Sequence, residues 1–112
     1  MVDFQYKDSY GVKDLEEIVR ILRAPGGCPW DAEQTHQSIR RNFLEEAYEA
    51  VEAIDEGSPE HLEEELGDVL LQVVMHARME QEAGRFDLAG VAAGICKKLI
   101  YRPPHVFGDV AV

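Results

Sequence analysis

From Leu44 to Asp68 the chain has no lysine and no arginine, although glutamate and aspartate crowd that stretch. A solvated helix face normally mixes signs, so that acid and base one turn apart support each other. Other absences narrow the possibilities. The chain has only two cysteines, Cys28 and Cys96, far apart and outside any C-x-x-C pair. No signal-peptide pattern opens it and no apolar run is long enough to span a bilayer. Two reduced thiols in a cytoplasmic protein, with no membrane partner, is the expectation. Basic residues are scarce: 11 against 22 acids, a formal net charge of -11. That excludes a nucleic-acid polymer bound by phosphate neutralisation, which needs a basic face. It leaves room for a small phosphorylated ligand, because bound divalent cations invert the local field. No H-E-x-x-H, P-loop or G-x-S-x-G occurs. "EQTH" is the one E-x-x-H, whereas a di-iron bundle needs two. His61, His76 and His105 have no partner at metal-ligand spacing, and no stretch of helical length alternates with period two.

What is present reads as helix. The chain has 112 residues, 46% of them hydrophobic, which suits one domain with one core. Residues 1–11 form a loose lead-in. Leu15, Ile18, Val19 and Leu22 recur at helical spacing in a first helix that Pro25-Gly26-Gly27 ends. "PGGCPWDAEQT" comes next as a loop. Thr35 is placed to cap a second helix running to about Glu56, with Gly57 as its stop. Ser58-Pro59 starts a third, which continues to about Ala83. Asp87 caps a fourth, with Phe86 positioned to staple onto Val91, and "RPPHVF" ends it. The expected fold is all-α: an antiparallel helical bundle of about four helices, residues 1–112 as a single domain.

On the second helix Ile39, Phe43, Ala47, Ala50, Val51 and Ile54 make the expected apolar face, with Glu46 and Glu49 on one flank. On the third, Leu62, Leu66, Val69, Leu70, Val73 and Ala77 make the main face, with Glu65 and Asp68 one turn apart on its flank. Leu71, Val74 and Met75 leave this helix apolar nearly all round, so a partner chain is expected to cover them. Two acidic pairs on neighbouring helices can converge at the edge of the core. Four such carboxylates would repel and shift each other's pKa values. Magnesium, with manganese as a substitute, resolves this, since it takes oxygen ligands and leaves room for substrate phosphates. The alternative is a set of solvated surface acids.

"EEAYE" (Glu45 to Glu49) followed by "ELGD" (Glu65 to Asp68) resembles the E-E-x-x-E … E-x-x-D signature of MazG-type nucleoside triphosphate pyrophosphohydrolases. "GGCPWDAEQTHQSI" and "KKLIYRPPHVFGD" resemble the segments that flank it, so the likeness runs from Leu15 to Asp109. It implies an all-α dimer or dimer of dimers. The implied activity cleaves a nucleoside triphosphate between its α and β phosphates, giving a monophosphate and pyrophosphate. It implies Glu46, Glu49, Glu65 and Asp68 as Mg²⁺ ligands and Glu45, Glu46 and Glu49 as the catalytic acids. Glu45 would orient the attacking water or bind a second metal through water. Lys98 and Arg102, four apart, are expected to reach one phosphate chain. Trp30, Asp31 and Gln34 are expected to contact base or ribose, Trp30 by stacking. His36 fits the flanking motif without an assigned role. The chain departs from the family in having Tyr101-Arg102 where an Arg-Arg pair is usual and Pro103-Pro104 where His-Pro is usual. Two other readings stay open: a non-catalytic helical module of the same fold, and a pyrophosphohydrolase of another phosphoribosyl nucleotide.

Overall fold

The first helix, α1 (Val12–Arg23), opens where the Gly11 amide donates to the Asp14 carboxylate at 2.8 Å. Its apolar side turns Leu15 and Val19 inward. The computed structural model describes residues 2–102 and 106–107. After α1 come a single turn, α2 (Pro29–Ala32), then α3 (Arg40–Glu56), α4 (Pro59–Glu82) and α5 (Leu88–Tyr101). No strand occurs among the described residues, as an all-α fold requires. The lead-in forms no helix, but Phe4 meets Tyr6 edge-on and stacks on Tyr10, and Lys7 pairs with Asp14.

The helix ends obey local chemistry. Gly57 takes the left-handed conformation (φ 71°) that closes α3. Ser58 accepts from the His61 amide at 3.2 Å and Pro59 fills the first turn of α4. Asp87 accepts from the Gly90 amide at 2.9 Å at the start of α5. Phe86 and Val91 both stay exposed there, so the expected staple covers neither. Pro103 to His105, within the expected ending, lie outside the described residues.

Three expectations need correction. The loop after α1 contains the extra turn α2, because proline at its first position and Asp31 inside it favour a helical start. Thr35 does not cap α3. It exchanges hydrogen bonds with Ser38 (Thr35 amide to Ser38 Oγ 2.7 Å, Ser38 amide to Thr35 Oγ1 3.1 Å) and closes a separate turn. Ile39 leaves helical geometry (ψ 7°), and α3 starts at Arg40. The apolar face of α3 is also rotated: Ala50 and Ala53 are buried against α4, whereas Val51 and Ile54 are 51% and 60% exposed. Small residues let the two backbones approach, and the bulky pair is left outside.

The two-residue link Gly57-Ser58 makes α3 and α4 an antiparallel pair, and α1 packs on the other side of α4. The core joins Val19, Ile39, Val74, Met75 and Met79, with Leu15 and Leu88 against it. Of the expected partner-facing patch, Val74 and Met75 are therefore covered within one chain, at 2% and 7% exposure, whereas Leu71 stays 36% exposed. Among the described residues α5 leans on α4 alone, and Val91, Ile95 and Leu99 are exposed along it. No helix of the described residues is long and apolar enough to cross a membrane.

Candidate functional site

The Ala50–Ala53 contact brings the acidic flanks of α3 and α4 together. One carboxylate oxygen from each of Glu46, Glu49 and Glu65 lies within 4.8 Å of the others. Glu65 is buried, Glu46 half-buried and Glu49 exposed, so the cluster opens to solvent at Glu49. Asp68, half-buried one turn along α4, lies outside this closest set, but its charge acts on both Glu46 and Glu65. Glu45 is exposed and stands apart from the cluster.

The electrostatics match four acids without a cation. The Glu46 carboxyl is pushed above the ordinary carboxylate range, first by burial and then by Glu49, Asp68 and Glu65. Glu65 is raised in the same way, by burial first and then by Glu49 and Asp68, with His61 opposing. Oε2 of Glu46 and Oε2 of Glu65 are buried without a hydrogen-bond partner among the described residues. Buried oxygens of this kind are rare and call for an explanation. An all-oxygen set with two such atoms fits a hard divalent cation of the magnesium type. His61 braces the outer side: its ring nitrogens lie 3.2 Å from Glu56 Oε1 and 3.2 Å from Glu65 Oε1.

A cavity of about 260 Å³ opens farther along α3 and α4, and none of the four acids lines it. Trp30, Asp31 and Gln34 line it together with Asn42 and Gln72. Asn42 is four residues before Glu46 on α3, and Gln72 is four after Asp68 and seven after Glu65 on α4, so the cavity lies about one turn from the cluster along α3 and about two along α4. The three loop residues expected near a base or ribose thus share one cavity. Gln34 is largely occupied in holding the loop: Nε2 donates to the Trp30 carbonyl at 2.9 Å and Oε1 accepts from Ser38 Oγ at 2.9 Å.

The residue that ties this loop down is Arg23. It donates to the carbonyls of Asp31 (2.8 Å) and Gln34 (3.0 Å) and forks onto Glu82 of α4 (2.9 and 3.0 Å). Nothing in the local pattern marks Arg23, because Glu82 is 59 residues away. The same holds for His36. Its Nε2 donates to Glu80 Oε2 at 2.6 Å and its Nδ1 shares a 2.6 Å hydrogen bond with Nδ1 of His76. Arg85 grips the other side of Glu80 at 2.5 and 2.9 Å. If the His76 Nδ1 donates, its buried Nε2 is a bare acceptor, and it has no partner among the described residues. Lys98 and Arg102 are exposed near the far end of α5, and among the described residues no ion pair links either to the acids.

Residues 34–107 match the MazG nucleotide pyrophosphohydrolase domain family. The chain is 50% identical over 97 residues to the nucleoside triphosphate pyrophosphohydrolase/pyrophosphatase MazG of Thermotoga maritima, covering 87% of this chain and 38% of that protein. It is 50% identical over 96 residues to the nucleoside triphosphate pyrophosphohydrolase of Escherichia coli K12 (85% and 36% covered). It is 54% identical over 98 residues to the uncharacterized protein YabN of Bacillus subtilis (88% and 20% covered). The chain thus spans between a fifth and two fifths of the length of these relatives. A crystal structure of a MazG-related protein from Thermotoga maritima superposes with a TM-score of 0.71 at 27% identity, covering 90% of this chain and 87% of that one.

Proposed function

Since the chain belongs to the MazG nucleotide pyrophosphohydrolase domain family, we propose that it hydrolyses nucleoside or deoxynucleoside triphosphates to the monophosphate and pyrophosphate. The observation that carries this reading is the convergence of Glu46, Glu49 and Glu65 within 4.8 Å, with buried oxygens that have no partner among the described residues. Glu46, Glu49, Glu65 and Asp68 would hold Mg²⁺, or Mn²⁺ in its place. The bound ion supplies charge neutralisation at the phosphate oxygens. Glu49, the exposed member, is placed to accept a proton from the attacking water, and Glu45 acts from the rim through solvent. Trp30, Asp31 and Gln34 hold the nucleoside end. Lys98 and Arg102 bind the phosphate chain and stabilise charge on the leaving pyrophosphate.

Assembly as a dimer, or a dimer of dimers, belongs to the same proposal. The chain exposes 8543 Å², where a folded monomer of 112 residues exposes about 6,200 Å². The excess includes Val51 and Ile54 of α3, Leu66 of α4 and the apolar residues of α5. Cys28 and Cys96 are both free, in keeping with a cytoplasmic setting.

The test is product analysis over a panel of ribo- and deoxynucleoside triphosphates with Mg²⁺ and with Mn²⁺. Monophosphate and pyrophosphate are expected, Glu49→Ala should abolish both, and Arg102→Ala should cut turnover on the order of a hundredfold with the melting temperature unchanged. Diphosphate and phosphate as products, or no turnover of any triphosphate, would sink the reading.

A further inference from the structure

We propose that Gln72, one of the residues lining the cavity that holds the nucleoside end in the proposed function, hydrogen-bonds the edge of the base. This deepens the hydrolase reading, on which it rests for the position of the phosphates.

Gln72 is only 5% exposed, and its Oε1 is buried with no hydrogen-bond partner among the described residues. A buried amide left unmade is costly, so it is retained where a ligand completes it. The other glutamine at the cavity cannot serve, because both ends of Gln34 are spent on Trp30 and Ser38. An amide offers an acceptor and a donor side by side in one plane, which matches a donor beside an acceptor on the edge of a base.

The shape agrees. At about 260 Å³ the cavity is smaller than the roughly 300–1,000 Å³ of sites that hold a whole drug-sized ligand. It suits one planar ring with the sugar and phosphates outside. Val19, Ile39 and Met75 give it apolar walls. Trp30, 72% exposed, leaves an indole face free to stack. Asn42 and Gln72 stand about 6 Å along their helices from Glu46 and Asp68. A base at Gln72 therefore sets a ribose between the cavity and the acids and carries its phosphates to them.

Trp30 is the chain's single tryptophan, so its emission reports the cavity without metal or turnover. Nucleosides should quench it. Gln72→Leu and Gln72→Met should weaken that binding by roughly five- to a hundredfold without lowering the melting temperature. Benzimidazole riboside, which stacks but has no donor or acceptor on its six-membered ring, should bind wild type and variants alike. In the hydrolysis assay the variants should raise KM and hold kcat within a few-fold. No quenching by any nucleoside at millimolar concentration overturns the proposal, as does unchanged binding in both variants, or an equal loss for benzimidazole riboside. A chain that binds nucleosides through Gln72 and turns over no triphosphate keeps the subsite and loses the hydrolase reading. Turnover indifferent to Gln72 does the reverse.

Discussion

Replacing Glu46 with glutamine should make the metal-free protein more stable, not less. Glu46 has Glu49 and Glu65 within 4.8 Å. Two unit charges at 4.8 Å repel by about 0.9 kcal/mol in water and about 3.5 kcal/mol at an effective dielectric near 20. Glu46 is half-buried in a cluster that opens to solvent at Glu49, so screening holds the gain from Glu46→Gln to about 1–2 kcal/mol. For a domain of this size that is roughly 3–6 °C in Tm per kcal/mol. The sign comes from the raised carboxyl. The folded protein holds the Glu46 proton more tightly than the unfolded chain, whose ordinary value is 4.5. The penalty is therefore absent below that pH and grows as pH rises through the raised folded value. Melts in EDTA should show the variant ahead at pH 8 and level with wild type at pH 4. Saturating magnesium should reverse the order, because ligand at a hundred times its Kd stabilises wild type by about 2.7 kcal/mol and the variant has lost a ligand. A variant less stable than wild type in EDTA at pH 8 would refute the reasoning, since Glu46 would then be making a net favourable contact.

Gly27→Ala should cost about 1–3 kcal/mol, because a Cβ there would lie 2.1 Å from the Ile21 carbonyl oxygen and 2.7 Å from that of Leu22, both backbone atoms; a lower Tm with a shifted Trp30 emission checks it. Arg85 and His36 hold the Glu80 carboxyl down to about 2, so its stabilisation is full above 4.5 and fades as pH falls toward 2. His76, held below its ordinary 6.5 by burial and by His36, also weakens the fold on acidification. Arg85→Ala should lower Tm at pH 7 and approach wild type only as pH falls toward about 2. Sedimentation velocity should show a dimer or larger species at micromolar concentration, and Ile54→Glu or Leu99→Glu should shift it to monomer with helicity retained.

Features set by neighbours in sequence were legible in advance. Gly57, Ser58-Pro59 and Asp87 end and start helices through bonds that span three or four residues, so a string of letters contains them. The pairing of Glu46 and Glu49 with Glu65 was readable for the same reason, because a two-residue link leaves α3 and α4 little choice but to lie side by side. The rotation of α3 was not readable. Periodicity weighs bulk, so it favours Val51 and Ile54, whereas close helix packing selects Ala50 and Ala53. Thr35 carries the signal of a cap and does cap a turn, but the long helix begins only beyond the break at Ile39. Arg23 with Glu82, and His36 with His76, meet across 59 and 40 residues, beyond any local pattern.

The polar residues of α4 show why that helix reads poorly as a simple amphipath. Glu65, Asp68, Gln72, His76 and Glu80 fall within about 120° of one another at ~100° per residue, on a side of the helix that is buried or half-buried. A stripe of that kind is costly unless each group is paired. At the far end it is paired: Glu80 accepts from His36 and Arg85. Toward the acids the pairing thins out. The buried side-chain atoms without partners among the described residues are His76 Nε2, Gln72 Oε1, Glu65 Oε2 and, across the contact on α3, Glu46 Oε2. They run in order along the helix into the cluster, and a fold selected for stability alone would have replaced them with apolar side chains. Their unmet bonds call for acceptors and donors from outside the chain: a hard cation at the carboxylates and a ring edge at the amide. Both demands would be met by the proposed substrate, one nucleoside triphosphate with its magnesium, lying along α4 with its base toward Gln72.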